Sequence, residues 1–88
     1  MDFRWNDWNI EHVQVHGVSP EEAEEVVHQA RAPYPEARGD GKWLVCGPGS
    51  GGRLLQVVFI IEEEDSGYVI HARPLDDNEK RRYRRRTR

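Results

Sequence analysis

The chain has 88 residues, 36% hydrophobic and 33% charged, which is enough for one domain with a thin core. No apolar run approaches the ~18 residues of a membrane span, and no basic n-region leads into an apolar stretch, so a cytoplasmic protein without membrane contact is expected. The single cysteine, Cys46, excludes an internal disulfide and a cysteine metal framework.

The net charge of −3 conceals a division. Glu79 to Arg88 holds seven basic residues and one acidic, a net of +6, while Met1 to Asn78 holds six basic and fifteen acidic, a net of −9. Such a basic tail suits phosphates, an acidic partner, or the chain's own acidic helix.

Phe3 to Trp5 reads as a short strand or extended lead-in. Asn6 or Asp7 can cap a short helix running to about Val15. Its buried face would hold Ile10 and Val13, with Trp8 nearby. Gly17 suits the left-handed position after a helix. Ser19, Pro20 and Glu22 then form the strongest helix start in the chain, a capping box with proline at the first helical position. Ala23, Val26, Val27 and Ala30 line one face of that helix. The glutamates at 21, 22, 24 and 25 read as its solvated first turns. Pro33 and Pro35 end it.

Lys42 to Cys46 is strand-like, with Cys46 as a small buried strand residue rather than a reactive thiol. GPGSGG follows. Gly47, Gly49 and Gly52 match GxGxxG, but strand-like residues come next rather than a helix, so a hairpin loop is expected. Arg53 to Ile61 is the strongest strand. Leu55, Val57, Phe59 and Ile61 would share one face, and Leu54, Val58 and Ile60 the other, so it should be central and covered on both sides. In the last strand, Tyr68 to Arg73, alternation puts Tyr68, Ile70 and Ala72 on one face and Val69, His71 and Arg73 on the other. Asp76 and Glu79 open a final helix whose only large apolar anchor is Tyr83. Strands joined by short loops predict an antiparallel meander, and helices packed on it give an α+β fold.

His12 and His16 stand four apart and could face one metal, but no HExxH surrounds them, and no metal or other cofactor is expected. His16 lies near a helix end, where the dipole favours a cation. His71 and Arg73 share a strand face. If that face is open, it offers a titratable group beside a fixed cation, the parts needed to cleave RNA without a metal. If it is the core, His71 is a partnered buried histidine. Arg53, at a strand start, is the remaining cationic candidate.

Five segments recur in order in the BrnT-type toxins. Trp5 matches the early tryptophan. HGVSPEEA, from His16 to Ala23, is similar to the family's HGVSFEEA. GRLLQVVF, from Gly52 to Phe59, resembles its glycine-led central strand. IHAR, from Ile70 to Arg73, resembles ISAR, and EKRRY, from Glu79 to Tyr83, resembles ERxxY. The chain departs from the family where no lysine closely follows Trp5 and where His71 replaces serine. The resemblance implies one BrnT-like toxin domain over residues 1–88, with a basic C-terminal helix or tail at 79–88. It further implies a RelE-like fold, metal-independent endoribonuclease activity that blocks translation, and a silencing antitoxin of the BrnA kind. His16, Arg53, His71, Arg73 and Tyr83 are the candidate catalytic residues, and Arg81, Arg82, Arg84, Arg85 and Arg86 the candidate RNA contacts. A homo-oligomer and a toxin–antitoxin hetero-oligomer both stay open. The alternative is an inactive BrnT-like homologue that binds nucleic acid or protein.

Overall fold

The structure, a computed structural model, describes all 88 residues, Met1–Arg88. It is α+β, with a five-stranded mixed sheet and three helices. A two-residue strand β1 (Asp2–Phe3) leads into α1 (Asp7–Gln14). Asn6 caps α1 through a reciprocal box. Its Oδ1 accepts from the Asn9 N–H at 3.2 Å, and its own N–H donates to Asn9 Oδ1 at 2.8 Å. The Asn9 amide also donates to Arg4 O at 3.1 Å, so this polar side chain is fully buried without an orphaned group.

That cap sets the rotation of α1 and corrects the expected face. Asn9 and Val13, four residues apart, point inward. Ile10 is only half-buried, and Trp8 is 49% exposed.

Gly17, at φ +74°, closes the turn into α2 (Pro20–His28). Ser19 Oγ accepts from the Glu22 N–H at 3.1 Å, as a cap should. The reciprocal half of the expected box is missing because Glu22 holds Arg53 instead. Arg53 Nη2 lies 2.8 Å from Oε1 and Nε 3.3 Å from Oε2. Glu22 is therefore buried rather than solvated, and Glu24 accepts from Trp5 Nε1 at 2.7 Å.

The remaining strands are β2 (Glu36–Ala37), β3 (Lys42–Pro48), β4 (Leu54–Ile61) and β5 (Ser66–Pro74), followed by α3 (Asp77–Arg86). The sheet order is β1-β5-β4-β3-β2. Neighbours from β2 to β5 are antiparallel, but β1 runs parallel to β5. The sheet is thus mixed, where an antiparallel one was expected. Most of the chain separates β1 from β5, so no tight turn dictates an antiparallel pairing.

Residues 49–53 join β3 to β4 as a hairpin loop, with Gly49 N–H donating to Arg53 O at 3.0 Å. A Cβ at Gly49 would stand 2.5 Å from Glu22 Oε2, a carboxylate already pinned by Arg53, so the close approach requires glycine.

A bulge between Val58 and Phe59 breaks the expected alternation of β5. Val58 lies opposite His71 and Phe59 opposite Val69, leaving Ile70 as the extra residue. Val69 and Ala72 are consequently both buried, while Tyr68, His71 and Arg73 are half-buried.

The buried layer joins Val45, Leu55, Val57, Phe59, Val69 and Ala72 of the sheet to Val13, Val18, Ala23 and Val26 of the helical segment. The other side of β4 holds half-buried Leu54, Gln56, Val58 and Ile60, and Ile61 at the strand end is 46% exposed. The strand is central but covered fully on one side only.

Candidate functional site

Two rows of side chains cross the less covered side of the sheet. Leu44, Val58 and His71 stand opposite one another on β3, β4 and β5, as do Cys46, Gln56 and Arg73. Glu79, Arg82 and Arg86 of α3, at i, i+3 and i+7, overlook them. Together with Tyr34, Glu36, Arg38 and Lys42, these groups line a groove of about 540 Å³. It carries five cations, Arg38, Lys42, Arg73, Arg82 and Arg86, against two carboxylates, Glu36 and Glu79. A chain of net charge −3 therefore concentrates positive charge in one concavity.

The cations differ in their freedom. Arg73 binds Glu79 at two points, with Nη1–Oε1 2.8 Å and Nη2–Oε2 2.7 Å, and Nη1 also donates to Pro74 O at 3.0 Å. Arg86 pairs with Glu36, and Arg38 lies 3.7 Å from the same carboxylate. Arg82 and Lys42 pair with no carboxylate.

Glu79 has two structural duties. It accepts from the Asp76 N–H at 2.9 Å to complete the capping box of α3, and it grips Arg73. The Arg73 guanidinium, with help from that backbone N–H, holds its carboxyl down at about 2. A depressed carboxyl adds stability above its unfolded value and loses it as pH falls through the folded one. We expect α3 to loosen between about pH 4.5 and 2, and Glu79→Gln to remove that part of the acid transition. Circular dichroism at 222 nm against pH checks this, and an unchanged acid limb in the variant would show that the pair does not anchor α3.

His71 opens onto the groove, which resolves the two alternatives for its strand face. Burial lowers its pKa, and His16, Arg73 and His12 push in the same direction. Its imidazole is therefore neutral at neutral pH and able to accept a proton. The ring of His16, in the turn after α1, meets that of His71 edge to face at a centroid distance of 5.5 Å. His16 itself is exposed.

Most of the other expected site residues lie elsewhere. Arg53 is held by Glu22 and donates to Gly17 O, tying β4 to the turn before α2, and it does not line the groove. Tyr83 is 8% exposed, packs on Tyr34 with centroids 6.2 Å apart, and belongs to the core. Arg82 and Arg86 face the groove, whereas Arg81, Arg84 and Arg85 are exposed and do not line it. No family model matches the chain, and no curated protein matches it. No cluster of three or more histidine, cysteine or acidic side chains is placed to hold a metal ion, and no helix is long and apolar enough to cross a membrane.

Lys42, Arg38, Gln56, Glu36 and Glu79 were missed as groove residues. Lys42 and Gln56 could have been found from strand alternation once one sheet side was known to be open. The Arg73–Glu79 pair links a strand to a helix cap and left no mark beyond the cap itself.

Cys46 is buried at 8% exposure, and burial pushes its thiol up, which fits the unreactive strand residue expected.

Proposed function

We propose that this chain is a BrnT-type, RelE-like toxin, an endoribonuclease that cleaves RNA in the cytoplasm and is silenced by a BrnA-like antitoxin. The observation that carries the activity is the placement of His71 beside Arg73 in a groove rich in cations. The ordered resemblance from Trp5 to EKRRY supports the family. The order of a short strand, two helices, long antiparallel strands and a terminal helix supports the RelE-like fold.

In this reading Arg82 and Lys42 attract the phosphate backbone. His71 accepts the proton of a ribose 2′-OH as O2′ attacks phosphorus. The P–O5′ bond breaks, and the leaving oxygen takes a proton from an acid, a role we assign to His16, which lies outside the groove with its ring against that of His71. Arg73 stabilises the charge on the phosphorane. The products are a 2′,3′-cyclic phosphate and a free 5′-hydroxyl.

Purified protein incubated with RNA in excess chelator tests this. Cleavage is expected, with an acid limb in kcat/KM below pH 6.5, because the base is neutral down to its lowered pKa. His71→Ala should lose most of the rate and that limb. Strict dependence on an added divalent ion would overturn the mechanism.

One observation favours the alternative of an inactive BrnT-like binding module. Arg73 is already neutralised by Glu79 at two points. Binding to single strands with a steep salt dependence and no cleavage would select that reading.

A further inference from the structure

The groove does not end at His71. Flat rings continue from it along α1. His16 touches His71, and His12 stands one turn earlier on the same side. His12 stacks on Trp8 at a centroid distance of 3.7 Å and an interplanar angle of 24°. Its Nδ1–H donates to Trp8 O at 2.8 Å, which fixes the ring in that stack. Trp8 also lies 6.3 Å from the ring of Tyr68 on β5.

Trp8 is 49% exposed and Val15, beside the two histidines, is 79% exposed. Together Glu11, His12, Val15 and His16 border a shallow depression of about 270 Å³. An indole and an imidazole stacked on each other and left open to solvent contribute little to the fold, since the buried residues of α1 are Asn9 and Val13.

We infer that Trp8, His12, His16 and His71 form a base-stacking track for single-stranded RNA, continuous with the cationic groove. This rests on the ribonuclease reading and adds where the nucleotides flanking the scissile bond lie. The groove supplies the charge that a phosphate backbone needs, and the track supplies π-faces for successive bases. Charge and stacking arranged side by side are how single strands are held without sequence readout. The occupant is single-stranded RNA because the row of rings starts at His71, a side chain that also lines the cation-rich groove, so one strand can lay its backbone on the cations and its flanking bases on the rings.

Equilibrium binding of 2′-O-methyl oligoribonucleotides of three and eight nucleotides tests the track, since the blocked 2′-oxygen prevents cleavage. Wild-type protein should bind the longer strand more tightly. Trp8→Ala should weaken that binding about tenfold, within the range of one stacked base, and leave the short strand unaffected. Trp8→Phe should recover most of the loss, and a circular dichroism spectrum matching wild type shows that α1 persists. Wild-type affinity of a folded Trp8→Ala for the longer strand, with Arg82→Ala still weakened, would overturn the track, spare the groove and leave the rings to a protein partner. Trp8-dependent binding without cleavage of unmodified RNA would keep the track and reject the ribonuclease. No binding of either strand by wild-type protein would overturn both.

Discussion

Arg73→Ala is expected to lower RNA cleavage by about 10²–10³-fold, the usual loss when one group that stabilises transition-state charge is removed. The change does more than delete a cation. Glu79 stays fixed by the Asp76 N–H and would face the groove with its charge uncompensated. A negative charge at that point repels the incoming phosphate, so binding should fall as well as the chemical step. The double variant Arg73→Ala/Glu79→Gln should therefore recover affinity for a single strand and still cleave poorly. Arg73→Lys keeps a charge but loses the two-point fork and should fall between the extremes. Single-turnover cleavage and oligonucleotide binding separate the two effects. In a bacterial host, tightly controlled expression of the unaltered chain should arrest growth and fragment RNA, and expression of the folded variant should do neither. Full cleavage by folded Arg73→Ala would remove Arg73 from the site.

The difficulty of reading this site from sequence lies in what its residues do for the fold. Asn6, Ser19 and Asp76 are local signals, and each caps a helix in the structure. A capping box depends on residues three apart, so the chain shows it directly. Glu22 was legible only as part of such a box. Its bond to Arg53, 31 residues away, depends on where β4 starts relative to α2. The same contact removes Arg53 from the site and makes it a strut. Tyr83 shows the opposite limit. Among arginines it reads as the lone apolar anchor of its helix, and it is one, but its stacking partner Tyr34, 49 residues earlier, is what takes it out of the candidate catalytic set. Alternation along β5 fails at one residue, and that residue decides the order of the side chains. An extra Ile70 brings Val69 and Ala72 to the buried side and leaves His71 and Arg73 together on the open one. A bulge has no periodic signature, because strand period is what it interrupts. The pairing of His71 with Arg73 survived only because both follow the bulge.

Phe59→Ala is expected to cost about 3–5 kcal/mol of folding stability. A chain of 88 residues holds about 4–13 kcal/mol in total, so the variant would be marginally folded or unfolded. Phe59 is 2% exposed and is the largest fully buried side chain. Its ring meets that of Phe3 edge to face at 6.3 Å, which helps hold the N-terminal strand against the core. It also sits opposite Trp43 and Val69, at the point where the β4–β5 register shifts. The adjoining pair is Val58 with His71, so the packing of Phe59 fixes the strand geometry that presents the imidazole to the groove. Urea denaturation should show the loss as a lower midpoint with little change in slope. Phe59→Leu, which keeps an apolar side chain at the site, should lose much less. In the folded Leu variant, a shifted His71 ring resonance with an intact His12 resonance would locate the disturbance at the bulge. A Phe59→Ala variant within about 1 kcal/mol of wild type would mean that the core can collapse around the gap, and the register of β5 would then depend on Val57 and Ala72 instead.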